Sequence, residues 1–387
     1  MLIKSSINVT ILNLNYKQIC FIQPRAFKNH TLSTSISLFG NSLAVLNSGC
    51  LYNLNNLTKL EIGLNKIQFI DYDLLKDVPN LQELDLQGNQ IKFLDKRIFT
   101  YTLNLEQLEL QKNLIEALDL TTFNGLKNLR FLDLSGNKLK TIQNGLLSDQ
   151  IILQNLLLYN NMISTIEPYS FGNLSKLNGL ILNSNRLTEI GPKTFYGLSS
   201  IVEIQINYNL IEKLDSETFL FLPIQRLHAS YNRLTTIEYN LFKNSKKLTL
   251  AYLNGNKLEK FNVDENSTLT TLDVSSNNLK FFSQNFTKLT YLNLNKNPLS
   301  YLNYSFIQSA PNLVYLNLSY CSLYHIENFV FENLRSIQLL DLSNNLFDFL
   351  DETIFVQLNQ LKNIMLSNLS NVQQVINTYR HIKFSIK

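Results

Sequence analysis

The chain has no tryptophan, only three cysteines and four histidines, and twelve glycines in 387 residues. Each scarcity removes a class of function. Cys20, Cys50 and Cys321 are odd in number and none has a close neighbour, so no disulfide framework can be read from them. His30, His228, His325 and His381 fall in no nucleophile, zinc or phosphate motif, and no glycine-rich phosphate loop stands out. No stretch approaches the ~20 apolar residues that a membrane helix needs. The opening residues, Met1-Leu-Ile-Lys-Ser-Ser, lead into an alternating segment with no apolar core, so they do not read as a secretory signal. Charge is also scarce, at 17% with a net +4. After Glu352 there are no acids, and Lys362, Arg380, Lys383 and Lys387 carry the excess, which reads as a solvated terminus. The remainder is balanced and offers no basic face for nucleic acid or an anionic membrane. The expectation is a protein that is not an enzyme, holds no cofactor and no metal, and has no membrane span in this chain.

Leucine, asparagine and phenylalanine, by contrast, recur at a fixed interval. Asn41, Asn65, Asn89, Asn113, Asn137, Asn161, Asn185 and Asn209 are 24 residues apart, and the series continues through Asn232, Asn256, Asn277, Asn297 and Asn345. Around them sits Leu-x-Leu-x-x-Asn-x-Leu, as in Leu84-x-Leu86-x-x-Asn89-x-Ile91 and Leu132-x-Leu134-x-x-Asn137-x-Leu139. Lys17, Cys321 and Leu369 occupy the Asn position in three further copies. The apolar pair is a period-two strand segment pointing both side chains into a core. The Asn comes where the chain turns away, and its amide can satisfy backbone groups that the turn leaves unpaired. Ten residues after each Asn lies a second apolar row: Phe99, Phe123, Phe171, Phe195, Phe219, Phe242, Phe331 and Phe355, with Leu51, Leu75 and Leu147 elsewhere. A single 24-residue unit cannot cover both its apolar faces, so stability must come from stacked neighbours. Cys321-x-x-x-His325 has a metal-like spacing, but Cys321 stands in the Asn row and the pair reads as structural. The steps from Asn256 to Asn277 and from Asn277 to Asn297 shrink to 21 and 20 residues, and the Phe row drops out of register there. A local change of curvature is predicted near 262–290.

Three copies carry a finer signature: Ile22-Gln-Pro24-Arg-Ala-Phe27, Ile166-Glu-Pro168-Tyr-Ser-Phe171 and Ile190-Gly-Pro192-Lys-Thr-Phe195. With the 24-residue period, the chain resembles the extracellular "typical" class of leucine-rich repeat, found in Toll receptor ectodomains, chaoptin-like adhesion proteins, arthropod immune recognition proteins and small matrix proteoglycans. The resemblance implies an α/β solenoid over residues 9–372. This would be a horseshoe of about 16 repeats, with a parallel concave β-sheet of about 16 strands and an irregular or 3-10 convex side. Residues 373–387, with Val375, Ile376, Tyr379, Ile382, Phe384 and Ile386, are read as a C-terminal cap or tail. Relatives of this class usually carry a signal peptide and cysteine-rich caps, which this sequence lacks; we read it as an internal segment of a longer product rather than an uncapped intracellular member. Nine glycosylation sequons begin at Asn8, Asn29, Asn56, Asn173, Asn266, Asn285, Asn303, Asn317 and Asn368. With 52 asparagines in the chain, that number is close to chance and is no evidence of secretion.

Register on the strands points to the exposed positions. The residue between the core leucines reads Glu61, Asp85, Glu109 and Asp133 in four successive copies, an acidic stripe at strand spacing with Lys59 and Lys112 as neighbours. Acids are an ordinary choice at this position, and a patch for a basic ligand is the functional alternative. Phe131, Leu157, Tyr159, Met162 and Ile181 follow as an exposed apolar group. Gln205, Tyr208, Arg226, His228, Tyr231 and Tyr252 come next, with Tyr291, Tyr315 and Tyr320 beyond them. Tyr, Phe, Met and Arg are enriched at interfaces. The predicted partner site is therefore 131–252 on the concave face. The reading is a non-enzymatic extracellular recognition or adhesion ectodomain that binds a protein or glycoconjugate. The alternatives are an intracellular scaffold or regulatory subunit, and a self-associating matrix protein that forms homodimers.

Overall fold

In the computed structural model the described residues are 10–264, 267–367 and 369–386, so the sequons at Asn8, Asn266 and Asn368 and the terminal Lys387 lie outside them. The chain is a parallel β-solenoid, a leucine-rich-repeat coil in which each repeat contributes one short strand. Contacts divide it into two compact units, Met1–Leu187 with Lys193–Ile201, and Thr188–Pro192 with Val202–Lys387.

In the first unit eight three-residue strands pair in parallel and in sequence order, from Ile11–Asn13 to Gly179–Ile181. In the second unit nine strands do the same, from Glu203–Gln205 to Lys383–Ile386. The middle residue of each repeat's strand is the first leucine of the motif or its equivalent, and it is buried: Leu84, Leu132 and Leu227 are representative. The second leucine, just past the strand, is buried as well. On the outer side the described residues form mostly two-residue strands, such as Val45–Leu46 with Phe69–Ile70 and Thr236–Ile237 with Lys260–Phe261, with one of three residues at Ile307–Ser309, besides two 3-10 turns, Leu74–Asp77 and Glu352–Phe355.

Asparagine stitches the turns together. Asn137 donates through Nδ2 to the carbonyls of Leu134 (3.0 Å) in its own turn and Leu110 (2.9 Å) in the preceding one, while its Oδ1 accepts from the Ile115 N–H at 3.0 Å. Asn65, Asn89, Asn113 and Asn161 repeat this three-way pattern, and Asn256, Asn277 and Asn297 do so in the second unit. Cys321 takes over part of the role, with its Sγ donating to the Leu294 carbonyl at 3.3 Å. Burial pushes that thiol up to about 12, so it stays a neutral donor. A second set of asparagines links turns on the far side of the coil. Asn56, Asn80, Asn104, Asn128 and Asn173 each donate to the carbonyl 25 residues earlier, as do Asn312 and Asn333 in the second unit.

Around the shortened repeats the phenylalanines stand out of register with the row, yet an aromatic core is kept. Phe286 and Phe306 come nine rather than ten residues after their Asn and are buried, and Phe282 lies about 6 Å from Phe261, Phe286 and Phe306. The aromatic stands one position early in both turns and stays inside, although only the turn from Asn277 to Asn297 is shortened and that from Asn297 to Cys321 keeps 24 residues. The outer pairing of Gln284–Asn285 with Ile307–Ser309 carries a register shift at the same place. At the C-terminus a helix, Val372–Thr378, precedes the strand Lys383–Ile386, which pairs with Asn363–Leu366. Val375 and Ile382 are buried and Tyr379 packs edge-on to Phe355 at 5.9 Å, whereas Ile386 remains exposed.

Candidate binding surface

The open face of the sheet is built from the side chains that alternate with the buried leucines. In the first unit the pairing Ser37↔Glu61↔Asp85↔Glu109↔Asp133↔Leu157↔Ile181 sets the four acids in one row. Like charges at adjacent parallel positions repel, and the neighbouring columns answer this with amides as well as a cation. Lys59 Nζ bridges Glu61 and Glu83, both at 3.0 Å. Gln87 donates to Asp85 at 3.0 Å, and Gln107 and Gln111 donate to the two oxygens of Glu109 at 2.6 and 2.8 Å. Lys112, the other cation expected beside the row, acts on Asp133 only through its field. These glutamines flank the acid column at two-residue spacing, a relation that the register of the sequence already contains.

Burial raises the carboxyl of Asp85, and the nearby Glu109 and Glu61 raise it further. Burial also raises Asp133, which is only 5% exposed, against the hydrogen bonds from Ser135 that lower it. The folded state therefore holds a proton on Asp133 more readily than the unfolded chain does. Its unfavourable contribution is absent below the ordinary carboxylate pKa of ~3.9 and develops as pH rises through the raised folded value. Asp133→Asn is expected to stabilise the chain by about 0.5–1 kcal/mol at pH 7 and to have no effect near pH 3.5. Denaturant midpoints at the two pH values check this; a destabilised variant at pH 7 would show that the carboxylate is held by more than its neighbours here.

Phe131, Leu157, Tyr159 and Ile181 are half-buried rather than exposed, because each lies against the side chains of the adjacent strands. Leu157 is flanked by Asp133 and Ile181, and Phe131 by Gln107 and Asn155. Met162 does not belong with them. It lies beyond Asn161, where the chain has left the strand Asn155–Leu157, and its N–H bonds to the Leu139 carbonyl at 3.0 Å.

In the second unit Gln205, His228 and Tyr252 pair in register, with Asp273, Asn293, Asn317 and Asp341 continuing the column. Glu203, which sequence reasoning missed, is the hub. Its Oε2 receives Arg226 Nε and Nη2 at 2.9 Å, Oε1 receives Gln205 at 2.7 Å, and His228 Nε2 lies 3.1 Å from Oε1 without hydrogen-bond alignment. Burial pushes Glu203 up, but the hydrogen bonds from Gln205 and Arg226 outweigh it and leave the carboxyl below its usual value. Burial lowers His228, so the ring is neutral at pH 7. His228 stacks obliquely on Tyr252 at 5.2 Å. Tyr291 and Tyr315 lie face to face at 4.5 Å, with burial and the neighbouring tyrosine pushing Tyr291 up to about 12.

Among the described residues, the one before each ladder position from Lys17 to Asn345 adopts positive φ. Four such positions are glycine, namely Gly40, Gly88, Gly136 and Gly255, but Tyr16, Tyr208, Tyr231 and Tyr320 hold the same left-handed backbone. Tyr208 and Tyr231 stack in parallel, 4.6 Å apart and 4° from coplanar, and about half of each ring is exposed. The Tyr231 ring fills the space that a Cβ on Gly255 would need. A left-handed residue with a side chain costs about 1–2 kcal/mol relative to glycine. Tyr231→Gly is thus expected to melt above Tyr231→Ala by an equivalent of about 1 kcal/mol, since both lack the ring and differ only in the backbone. Equal melting would place no strain at this position.

A different apolar row lies on the flank, four residues after the first four ladder positions: Phe21, Val45, Phe69 and Phe93 are all more than 40% exposed. Among the described residues no group of three His, Cys, Asp or Glu side chains could hold a metal ion, and no helix is long and apolar enough to cross a membrane. His325 lies exposed in a two-residue strand with Ile326, away from the inward Cys321.

A coil of stacked strands, stitched by buried amides and presenting flat rows of polar and aromatic side chains, defines a repeat-built binding scaffold. The chain belongs to the leucine-rich-repeat family: family models for the leucine-rich repeat match residues 34–91, 79–139 and 311–371, and one for the BspA-type leucine-rich repeat region matches 116–249. It is a protein-binding module by that membership. No curated protein matches it significantly by sequence. Among solved structures, the TLR13–ssRNA13 complex superposes with a TM-score of 0.76 at 21% identity, over 97% of this chain and 54% of the other. The Drosophila Toll–Spätzle complex gives 0.73 at 22%, over 97% and 48%. A leucine-rich-repeat protein of Leptospira interrogans gives 0.71 at 22%, over 98% and 96%. The chain thus spans about half the length of the two Toll-type structures, and at these identities the likeness is one of fold.

Proposed function

We propose that the chain is the recognition segment of an extracellular, receptor-like protein and binds a protein partner along the open face of its sheet. The observation that carries this is the run of partly exposed tyrosines in the second unit, Tyr208, Tyr231, Tyr252, Tyr291, Tyr315 and Tyr320. Three of them are kept in a backbone conformation that glycine would adopt at lower cost. Tyrosine supplies a large amphipathic contact area, and such side chains dominate interface energetics. The acid row Glu61, Asp85, Glu109 and Asp133 favours basic side chains on that partner and opposes a polyanion. The Toll–Spätzle complex is a structure of the same fold with a named partner, which supports the receptor-like reading.

The test uses the native protein, recovered from its source and cross-linked to whatever accompanies it. A partner from the extracellular fraction, held by the wild type and lost from Tyr208→Ser/Tyr231→Ser/Tyr252→Ser, is the expected result. Retention by that variant would move the site off the second unit, and a cytosolic partner would overturn the location. The corresponding variant of the first unit, Leu157→Ser/Tyr159→Ser/Ile181→Ser, separates the two patches. It is expected to weaken binding at least tenfold, about 1.4 kcal/mol, with circular dichroism unchanged; unaltered affinity would remove that patch from the site. Sequon occupancy in the same preparation, at the exposed Asn29, Asn56 and Asn173, reads passage through the secretory pathway independently.

A further inference from the structure

On the outer side of the first unit, away from the sheet face, the repeat pattern leaves a gap. Eight residues after their ladder asparagines, successive turns carry Gly145, Tyr169 and Lys193. Gly145 has φ +96°, and a Cβ built there would meet nothing within 4 Å, so its missing side chain is open space rather than packing. Tyr169 also has positive φ (65°) and is pinned by its N–H to the Lys193 carbonyl at 3.1 Å, while its own carbonyl receives the Gly172 N–H at 2.9 Å. Its ring meets Tyr196 edge to face, 5.2 Å apart and at 79°, and Lys193 Nζ lies 5.4 Å from the Tyr169 ring centre. Gly172 and Gly197 bring two turns together so closely that a Cβ on Gly197 would collide with the Gly172 carbonyl.

The result is a cleft of about 240 Å³ lined by Gly145, Asn144, Ser148, Asn173, Tyr169 and Tyr196, over a floor that includes the buried Leu147 and Ser170. Among the described residues no acid or base lines it; Glu167, which accepts the Asn144 N–H at 2.9 Å, and Lys193, over the Tyr169 ring, are not part of the lining. Asn173 Nδ2 is engaged with the Ser148 carbonyl at 2.9 Å. The Asn144 side-chain amide, the Ser148 hydroxyl and both tyrosine hydroxyls have no intramolecular hydrogen bond among the described residues.

We propose that this cleft binds a single neutral sugar ring. Size comes first: the volume is below the ~300 Å³ at which pockets for drug-sized ligands begin, but equals the share of about eight waters in the liquid. The lining then selects among small ligands. An acyl chain would leave the amide and hydroxyl groups unpaired, which is costly once water is excluded. A flat base prefers parallel aromatic faces, and these rings stand nearly perpendicular. Phosphate and carboxylate find no cation in the lining. A pyranose has an apolar C–H face for the tyrosine corner and a rim of hydroxyls, each both donor and acceptor, for Asn144, Ser148 and the phenols. The site is independent of the sheet face, so it stands or falls apart from the proposed partner surface.

The sugar has two sources, a glycan of a partner or one attached to Asn173, whose sequon Asn173-Leu174-Ser175 borders the cleft. The experiment uses the full chain produced without glycosylation and the methyl glycosides of glucose, galactose, mannose and N-acetylglucosamine. Saturation-transfer NMR is expected to show binding of at least one, with Kd on the order of 1 mM. Gly145→Asn, which fills the gap with a residue tolerant of positive φ, and Tyr196→Ala, which removes an exposed wall, are each expected to weaken it at least tenfold with the melting curve unchanged. No transfer from any of the four glycosides, or transfer unaffected by both substitutions, overturns the proposal. With the chain glycosylated at Asn173, blocked binding that returns on enzymatic glycan removal assigns the cleft to its own glycan. Undiminished binding assigns it to a partner's.

Discussion

Asn137→Ala lowers stability by about 3 kcal/mol, near the upper limit for leaving a buried polar group unsatisfied. One truncation strands three groups together: the carbonyls of Leu134 and Leu110 lose their donor, and the Ile115 N–H loses its acceptor. Asn137 is only 6% exposed, so water cannot replace the amide without opening the coil. Asn104→Ala is the control, since it removes a turn-to-turn hydrogen bond of 3.2 Å at an exposed site. It is expected to cost below about 1 kcal/mol because solvent takes over the Pro79 carbonyl. Urea titration of both variants, with amide exchange to localise the opening, provides the comparison. Equal costs would mean that burial does not set the value of these amides. A long repeat array need not unfold in one step, so exchange at Leu110 and Ile115 is the sharper reading.

Phe219→Ala is expected to cost about 3–5 kcal/mol, the range for removing a fully buried aromatic. The ring is completely buried and stacks on Phe242 at 6.1 Å, so the cavity borders a second side chain that is itself anchored by the contact. Phe219→Leu should recover most of the loss, leaving about 1–1.5 kcal/mol, because Leu51, Leu75 and Leu147 occupy the same position in other turns and are buried there. Should leucine prove as damaging as alanine, the row would depend on ring stacking rather than on filled volume.

Periodicity made the fold legible before any coordinates, because a parallel coil forces equivalent residues into rows. The acid column could be placed for the same reason: from Glu61 to Asp133 each acid is one strand from the next, and the observed pairing puts them there. Side-chain reach is where the pattern ran out. Phe131, Leu157, Tyr159 and Ile181 sit at outward positions, yet neighbours in the same rows cover them by half. Met162 was misplaced because the strand ends before the ladder asparagine. Glu203 escaped notice because it precedes the first core residue of its strand, and only the structure shows that Arg226, Gln205 and His228 converge on it. The second asparagine ladder is visible in hindsight at Asn56, Asn80, Asn104 and Asn128, one repeat apart. In a chain with 52 asparagines, a four-member series carries little contrast.

The left-handed residue before each ladder position has a use beyond closing the turn. Its backbone is tied on both sides: the Tyr208 N–H reaches the Ser230 carbonyl and the Tyr231 N–H the Asn254 carbonyl, while the next residue is the buried amide. Main-chain geometry there is nearly constant, at φ 50–69° in turn after turn, whichever residue is present. Glycine, leucine, lysine, serine, asparagine and tyrosine all occur. Within each unit these positions amount to a graduated scale, marked at the ~4.8 Å spacing of adjacent strands. A change of one letter writes a new chemical group at a known height while the scaffold beneath stays as it was, so surface specificity can diverge far faster than the fold.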